Sequence, residues 1–267
     1  MPELAEVEYY RKQWDAGVGQ RVTRVHFHAG KRAVRDLSAK SVAALKGTTL
    51  LGSEARAKQM LFRFGRGGKA TAWLGVHLGM TGKLHVVPAR WTPDRHDHFA
   101  LRQSGRWLAF TDPRMFGRVR LYLGPDVPEW WAKLPPDVLS EEFTVERVQG
   151  FLKRRGRTAV KAVLLMQDLF PGVGNWMADE ILWRAGIDPR TRSAKLSTDR
   201  VKALWRESRE VCRIALATVG VDLSDPPEDW LFHARWSAKG VCPRCGIALK
   251  TATIGGRTTR WCPRCQS

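Results

Sequence analysis

Residues 242–265 read CPRCGIALKTATIGGRTTRWCPRC and contain four of the chain's five cysteines, arranged in two CxxC pairs. Each pair can form a tight thiolate knuckle, and two knuckles complete the tetrahedral coordination that zinc prefers. In a reducing compartment this spacing favours a metal site over disulfide bonds. The sequence therefore predicts one structural Zn²⁺, with four ligands: Cys242, Cys245, Cys262 and Cys265. The fifth cysteine, Cys212, lies in a helical stretch and is expected to be a small buried apolar residue.

The residues between the two cysteine pairs alternate like two strands around Gly255-Gly256. Paired glycines supply the positive φ angles of a tight hairpin turn, so we expect a β-hairpin with Arg257 at its tip. Such a zinc ribbon can be purely structural. The cations around it favour a ribbon that also contacts nucleic acid. These cations are Arg244, Lys250, Arg257, Arg260 and Arg264.

The whole chain is strongly basic. Lys and Arg total 45 against 26 Asp and Glu, which gives a formal charge of +19 and a pI near 10.4. A basic surface binds nucleic acid by releasing counterions from its phosphates, so the charge favours a polyanionic partner. The same charge is compatible with anionic lipid or with solubility alone.

The 267-residue chain, 43% hydrophobic, is long enough to bury a core in one large domain or two ordinary ones. No apolar run approaches the roughly 18 residues needed to cross a bilayer. Residues 1–12 carry acids where a secretory signal would carry basic residues and an apolar core. We expect a soluble, monomeric, cytoplasmic protein with no membrane partner.

Hydrophobic periodicity divides the chain into a β-rich part and a helical part. A first helix is predicted from Glu3 to about Trp14, and short β-type runs then alternate with turn residues up to residue 123. The runs are VTRVHFH (22–28), QMLFRF (59–64), TAWLGVHL (71–78), GKLHVV (82–87), HFALRQ (98–103), RWLAFTD (106–112) and RVRLYL (118–123). Helical patterning follows at 145–153, 158–167, 175–185 and 197–219.

These patterns predict an α+β fold with an N-terminal β-sandwich or barrel. We expect four parts: a β domain at 1–130, a Pro-rich hinge at 131–145, a helical domain at 146–220, and a linker with the zinc finger at 221–267.

The segment PGVGNWMADEIL (171–182) combines close-approach glycines with a helix start. Gly172 and Gly174 let the backbone approach a ligand, and Asn175 is a good N-cap residue for the next helix. A phosphate at that helix start would meet free N–H groups and the positive end of the helix dipole. Taken alone, the segment is equally compatible with a tight connection.

Five segments together resemble the formamidopyrimidine-DNA glycosylase and endonuclease VIII family, and the first of its two branches most closely. They are MPELAEVE (1–8), HLGMTG (77–82), TDPRMFG (111–117), PGVGNWMADEIL (171–182) and GGRTTRWCPRCQ (255–266). They span almost the whole chain. The resemblance implies a β-sandwich, a helix-two-turn-helix domain and a zinc finger, with double-stranded DNA bound in the cleft between the two halves. It also implies base excision repair by a bifunctional glycosylase and abasic-site lyase that removes 8-oxoguanine and formamidopyrimidines.

The resemblance implies that Pro2, exposed by removal of Met1, is the nucleophile. A free α-amine has a pKa of about 8, so a useful neutral fraction exists at physiological pH. Its attack on the sugar C1′ would give an iminium that permits β- and then δ-elimination. Glu3 resembles the catalytic carboxylate, and Glu6 would support it. Taken alone, the proline and the acids would equally suit a first helical turn.

The resemblance assigns the other site residues to DNA. Lys58 would hold phosphates beside the lesion and assist elimination, and Lys161, Asn175 and Arg257 would grip the backbone on both sides of an extruded nucleotide. A void left by a flipped base must be filled. The family fills it with three side chains, which are matched here by Met80, Arg114 and Phe116. Taken alone, Met80 and Phe116 would equally suit a hydrophobic core. Lys58 alone would equally suit a solvent-exposed surface.

The chain departs from the glycosylase branch between residue 219 and the zinc finger. That branch carries a loop that closes over a flipped purine, whereas this chain has only VDLSDPPEDWLFHARWSAKG (221–240). The shortened segment leaves two alternatives: an endonuclease VIII-like enzyme for oxidised pyrimidines, and a protein that binds damaged or abasic DNA without cutting it. A zinc-ribbon protein unrelated to repair would leave the N-terminal carboxylates unexplained.

Overall fold

The structure is a computed structural model that describes residues 1–267. It contains two compact units. The first comprises Met1–Pro2 and Glu6–Leu134, and the second comprises Glu3–Ala5 and Pro135–Ser267. Helix α1 (Leu4–Gln13) therefore begins among residues that group with the second unit and continues among residues of the first.

The first unit contains two four-stranded antiparallel sheets, in the orders β1-β6-β7-β5 and β2-β3-β4-β8. The strands are β1 (Arg24–Phe27), β2 (Thr49–Arg56), β3 (Gln59–Arg66), β4 (Lys69–His77), β5 (Lys83–Pro88), β6 (Asp97–Gln103), β7 (Arg106–Thr111) and β8 (Arg118–Leu123). Two short helices, α2 (Ala39–Ala43) and α3 (Glu129–Ala132), accompany them.

One apolar core lies between the two sheets. Phe62 and Leu74 from one sheet belong to the same buried cluster as Phe99 and Phe110 from the other. Trp14, just after α1, packs against Phe62 with the ring centroids 4.8 Å apart. Inward-facing residues of both sheets share this core, so the prediction of a β-sandwich is confirmed.

The second unit is mainly helical. Its helices are α4 (Val145–Arg154), α5 (Val160–Leu164), α6 (Asn175–Arg184), α7 (Thr198–Ala217), α8 (Val219–Asp222) and α9 (Leu231–Ala234). Its core includes Phe170, Trp176, Ile181 and Leu204.

Two of the helix predictions differ from the structure by more than one residue at an end. Helix α5 is shorter than the predicted 158–167. Helix α7 ends at Ala217 because Thr218 leaves the helical conformation, with φ −114° and ψ −88°. No helix of the structure combines the length and apolarity needed to cross a membrane.

The C-terminal hairpin consists of β9 (Lys250–Ile254) and β10 (Arg257–Trp261). Gly255 and Gly256 form its turn with φ values of 59° and 72°, as a two-residue hairpin loop requires. A Cβ atom on Gly255 would lie 2.8 Å from the Cβ of Ala162 in α5. The predicted hairpin is confirmed, and its tip packs directly on α5.

A buried carboxyl on α6 fixes the segment before the zinc finger. Glu180 accepts the Phe232 N–H at 3.0 Å with one oxygen, while its other oxygen is buried without a partner. Burial raises the pKa of Glu180 from 4.5 to about 8. The folded protein therefore holds this proton more tightly than the unfolded chain does.

The stabilising effect of the protonated Glu180 is expected to be complete below pH 4.5 and to be lost as the pH rises through about 8. Glu180→Gln, which stays neutral, should therefore melt above the wild type at pH 8 and close to it at pH 5. Thermal unfolding at the two pH values checks this, with the exposed Glu142→Gln as the control. An equal Tm difference at both pH values would contradict the assignment.

Candidate functional site

The N-terminus brings Glu3 onto the start of α6. Pro2 is half-buried and Glu3 is only 3% exposed. The Glu3 carboxylate accepts backbone N–H groups from Gly174 at 2.9 Å, Trp176 at 2.9 Å and Met177 at 3.1 Å. Three donors and the positive end of the helix dipole fix the orientation of this carboxylate and favour its negative charge.

The Glu3 carboxylate substitutes for a local cap of α6. Gly174 is the N-cap residue, and no side chain from the helix start caps it. The prediction that Asn175 is the N-cap was wrong by one position, because Asn175 is the first helical residue. The free N–H groups of the first turn are satisfied instead by an acid 171 positions away in the chain.

The glycines of segment 171–182 leave room for the N-terminal residues Glu3 and Leu4. A Cβ atom on Gly174 would lie 2.3 Å from Cδ of Glu3, and one on Gly172 would lie 2.9 Å from Cβ of Leu4. The Leu4 N–H also donates to the Gly172 carbonyl at 3.0 Å. The close approach inferred from the glycines is therefore made by the chain's own residues 3 and 4.

Lys161 is completely buried on α5. Its Nζ lies 2.5 Å from Asp179 Oδ1 and donates to the Asn175 carbonyl at 2.7 Å. Burial lowers the pKa of Lys161, and the adjacent Asp179 carboxylate opposes that effect. Arg235 binds the other oxygen of Asp179 at 2.7 Å. The structure thus places Lys161 behind the surface, where it braces the start of α6 and does not present its charge to a phosphate.

Asn175 and Arg257 lie where α6 meets the hairpin. The Asn175 amide donates to the Thr258 carbonyl at 2.9 Å, while its side-chain oxygen is buried without a partner. Arg257 is exposed at the first position of β10, next to the turn. The structure therefore brings together Lys161, Asn175 and Arg257, which lie far apart in the sequence.

Two loops of the first unit bring together Met80, Arg114 and Phe116. A Cβ atom on Gly79 would lie 2.4 Å from the backbone of Phe116 and Gly117, so the loops meet backbone to backbone. Phe116 is 45% exposed, and the Arg114 guanidinium lies 5.1 Å from its ring centroid. Met80 is half-buried and lies outside the core.

Sequence reasoning missed the residue that shapes the second of these loops. Asp112 is fully buried, and its carboxylate accepts the Gly117 N–H at 2.6 Å, the Arg114 N–H at 3.3 Å and the Thr81 hydroxyl at 2.7 Å. Met115, between Arg114 and Gly117 in the chain, adopts φ 54°, a strained value for a residue with a side chain. An Asp before Pro is a turn-initiating signal, so TDPRMFG did carry a local hint of this role.

Lys58 lies in the two-residue turn between β2 and β3, immediately after Ala57, whose φ is 58°.

Burial lowers the pKa of His77 from 6.5, and the positive charges of Lys58 and Arg120 lower it further. His77 is therefore neutral at pH 7, and its Nδ1 accepts the Gly79 N–H at 3.1 Å. Glu6 is half-buried on α1.

The four cysteine sulfurs lie within 4.8 Å of one another. The Cys242–Cys265 and Cys245–Cys262 sulfur distances are 3.8 and 3.5 Å. Tetrahedral zinc with Zn–S bonds of about 2.3 Å requires sulfurs about 3.8 Å apart, so the four thiols fit one Zn²⁺. The Trp183 indole N–H donates to the Cys242 sulfur at 3.3 Å, an outer contact that helps orient the ligand. The predicted structural zinc site is confirmed.

Three family models match the chain in order. The formamidopyrimidine-DNA glycosylase N-terminal domain matches residues 1–119, the formamidopyrimidine-DNA glycosylase H2TH domain matches 134–225, and the zinc finger found in FPG and IleRS matches 240–267. Each lies on the corresponding part of the structure: the sheets, the helices and the hairpin.

Relatives and solved structures agree with these matches. The formamidopyrimidine-DNA glycosylases of Roseiflexus sp. and Halorhodospira halophila are each 38% identical to the chain, over 100% of both sequences. Lactococcus lactis Fpg in complex with abasic-site DNA matches with TM-score 0.87 and 26% identity over 99% of both chains. The same protein with FAPY-dG DNA matches with TM-score 0.88 and 26% identity, over 99% of this chain and 100% of that one. The chain belongs to the formamidopyrimidine-DNA glycosylase family.

Proposed function

We propose that the protein is a bifunctional DNA glycosylase and abasic-site lyase of base excision repair. It removes oxidised bases, including 8-oxoguanine and formamidopyrimidines, from double-stranded DNA and then cleaves the strand. The observation that carries the proposal is the position of Glu3, which directly follows Pro2 in the chain. Its buried carboxylate accepts three N–H groups at the start of α6.

Pro2 acts as the nucleophile once Met1 has been removed. Its neutral amine forms a bond to C1′ of the sugar, and the bond from C1′ to the damaged base breaks. The amine proton passes to the departing base. The C1′–O4′ bond then breaks and O4′ takes a proton, so the opened sugar is joined to Pro2 through an iminium. This iminium withdraws electrons from C2′, whose proton is lost as the 3′ phosphate leaves. A second elimination then expels the 5′ phosphate. Water finally releases the sugar remnant from Pro2.

Glu3 moves the protons that these steps exchange. The N–H groups of α6 hold its carboxylate in one orientation and favour the ionised form, so it is suited to accept a proton and to return it. Glu6 supports the site from α1, and Lys58 holds phosphate beside the lesion. Lys161 acts as a positioning residue through its bonds to Asp179 and the Asn175 carbonyl.

Asn175 and Arg257 contact DNA phosphates, and Met80, Arg114 and Phe116 fill the space that a flipped base leaves. The exposure of Phe116 and its stacking with Arg114 support this role over core packing. We place the catalytic sandwich at 1–130, the hinge at 131–145, the helix-two-turn-helix domain at 146–220, and the linker with the zinc finger at 221–267. The protein acts as a monomer in the cytoplasm, where the nucleoid supplies its substrate.

The short segment 221–240 favours a second substrate class. Part of this segment forms α9, which Glu180 fixes through the Phe232 N–H. With less chain available to enclose a purine, oxidised pyrimidines are the alternative substrates.

The decisive experiment uses protein shown by intact mass to lack Met1, incubated with duplexes that each carry one defined lesion. Borohydride reduces the iminium and should trap a covalent complex with at least one oxidised-base duplex and with abasic DNA. Strong trapping of pyrimidine lesions alone would favour the second class. Tight binding with no trapping of any duplex would overturn the proposal in favour of a non-catalytic damage-binding protein.

Asp112→Ala should remove the bonds that shape the Arg114–Phe116 loop while leaving the N-terminal chemistry in place. We expect at least about a tenfold loss of base excision, because inserting side chains must be held in position to stabilise a flipped base. Single-turnover kinetics on a lesion duplex measures it. Abasic DNA needs less flipping, so its cleavage should fall less; an equal loss on both substrates would contradict the assignment.

A further inference from the structure

A groove in the second unit is lined by basic side chains from two separate segments. One segment is the end of α4 with the residues that follow it, and the other is the turn at 192–195. The cations are Lys153, Arg154, Arg155, Arg157, Arg192 and Lys195. The remaining lining residues are Gly156, Thr158 and Ala194, so no carboxylate lines the groove.

The backbone fixes the two sides of this groove against each other. The Ala194 N–H donates to the Gly156 carbonyl at 3.2 Å, and the Ser193 N–H donates to the Thr158 carbonyl at 3.0 Å. A Cβ atom on Gly156 would lie 2.9 Å from the Cβ of Ala194, so a larger residue would separate the segments. The cations are therefore presented by a built surface.

The charge of the groove is not neutralised within the protein. None of its six cations forms an ion pair, whereas Lys133, Arg206 and Arg213 each pair with a carboxylate at 2.5–3.0 Å. Cations at a helix C-terminus interact favourably with the helix dipole, which accounts for Lys153 and Arg154. It does not account for the cations on the opposite side of the groove.

The groove offers charge and no exposed aromatic surface. Phe151, beneath Arg154 and Arg155, is only 7% exposed and is covered by their guanidinium groups at 5.7 and 5.1 Å. A nucleobase would find no ring to stack on, whereas phosphates would find donors from both sides. The chemistry fits a phosphodiester backbone read without regard to sequence.

We propose that this groove is a second DNA-binding site, which holds backbone phosphates of undamaged duplex other than those contacted by Asn175 and Arg257. The choice of DNA as the polyanion rests on the proposed function. Binding there releases counterions and raises affinity for any duplex, so the protein stays associated with undamaged DNA while it samples bases.

The test compares two triple variants that lower the formal charge equally. The groove variant is Arg157→Gln, Arg192→Gln and Lys195→Gln, and the control is Lys133→Gln, Arg206→Gln and Arg213→Gln, all at exposed positions. The affinity for an undamaged duplex is measured from low to moderate salt. In the groove variant it should fall at least about tenfold, and the salt slope should decrease by about 0.9 for each lost phosphate contact. The control should change by less than about threefold in affinity, since its side chains are already paired.

Borohydride trapping of abasic DNA at saturating protein should be unchanged in the groove variant. If the wild type itself traps no abasic DNA, the proposed function is overturned, while the affinity measurement on the groove remains valid. Equal loss of affinity in both triple variants, or no loss in either, would overturn the proposal that the groove binds DNA. Unchanged trapping also shows that the groove variant is folded. Arg157→Lys with Arg192→Lys, which retains the charge, should keep the affinity.

Discussion

Glu3→Gln is expected to lower the single-turnover rate of base excision at least about 100-fold, because it removes a positioned proton acceptor from the reaction. The substitution also weakens the helix cap. A glutamine amide keeps one oxygen acceptor but turns an NH₂ group toward the N–H donors of α6, where the carboxylate now accepts from Gly174, Trp176 and Met177. Borohydride trapping and gel analysis of strand cleavage measure the loss.

Gly174→Ala tests the same contact from the opposite side without changing any charge. The added methyl would lie 2.3 Å from Cδ of Glu3, so the carboxylate or the start of α6 must move. We expect a loss of activity that approaches that of Glu3→Gln. Gly150→Ala in α4 is the matched control, because its Cβ would approach only the flexible Arg154 side chain, at 3.5 Å. Full activity of Gly174→Ala in folded protein would refute the role of this contact.

Removal of zinc is expected to weaken binding of lesion DNA at least about 100-fold, because the hairpin is a small element that depends on its metal. The hairpin carries Arg257 and receives the Asn175 amide at Thr258, so both proposed phosphate contacts lose their support together. Chelation of the wild type and the Cys262→Ser variant should give the same result, read by metal analysis and DNA titration.

Cys212→Ala provides the matched control for the zinc experiment. Cys212 is buried in the core of the second unit, and burial raises the pKa of its thiol, so it stays a neutral apolar residue. The variant should retain one zinc per chain and bind DNA like the wild type. Undiminished DNA binding by metal-free protein would show that the hairpin makes no contribution to the interface.

Much of the fold is encoded locally. The alternation in the seven β-type runs, the Gly255-Gly256 turn and the CxxC spacing each predicted the element that the structure contains. Strand β2 (Thr49–Arg56) was missed, because Gly52 and Glu54 interrupt its apolar pattern and a register shift follows Leu50. Its identity depends on pairing with β3, which no local pattern reveals.

The site was less accessible from the sequence, because its contacts join distant residues. Glu3 could be selected by resemblance, but its capping of α6 depends on a fold that unites positions 171 apart. The resemblance assigned Lys161 to the DNA backbone and gave no sign that its side chain is buried. Its burial requires Asp179, and the sequence gives no sign that these two residues meet.

A single carboxylate between two cations also constrains how this protein can change by substitution. Asp179 serves both Lys161 and Arg235, so losing Asp179 first would strand two positive charges in the interior. Losing Lys161 first leaves Asp179 still paired with Arg235. Either cation can therefore be exchanged while the other still pairs with Asp179, whereas exchange of the acid leaves any remaining cation without its partner.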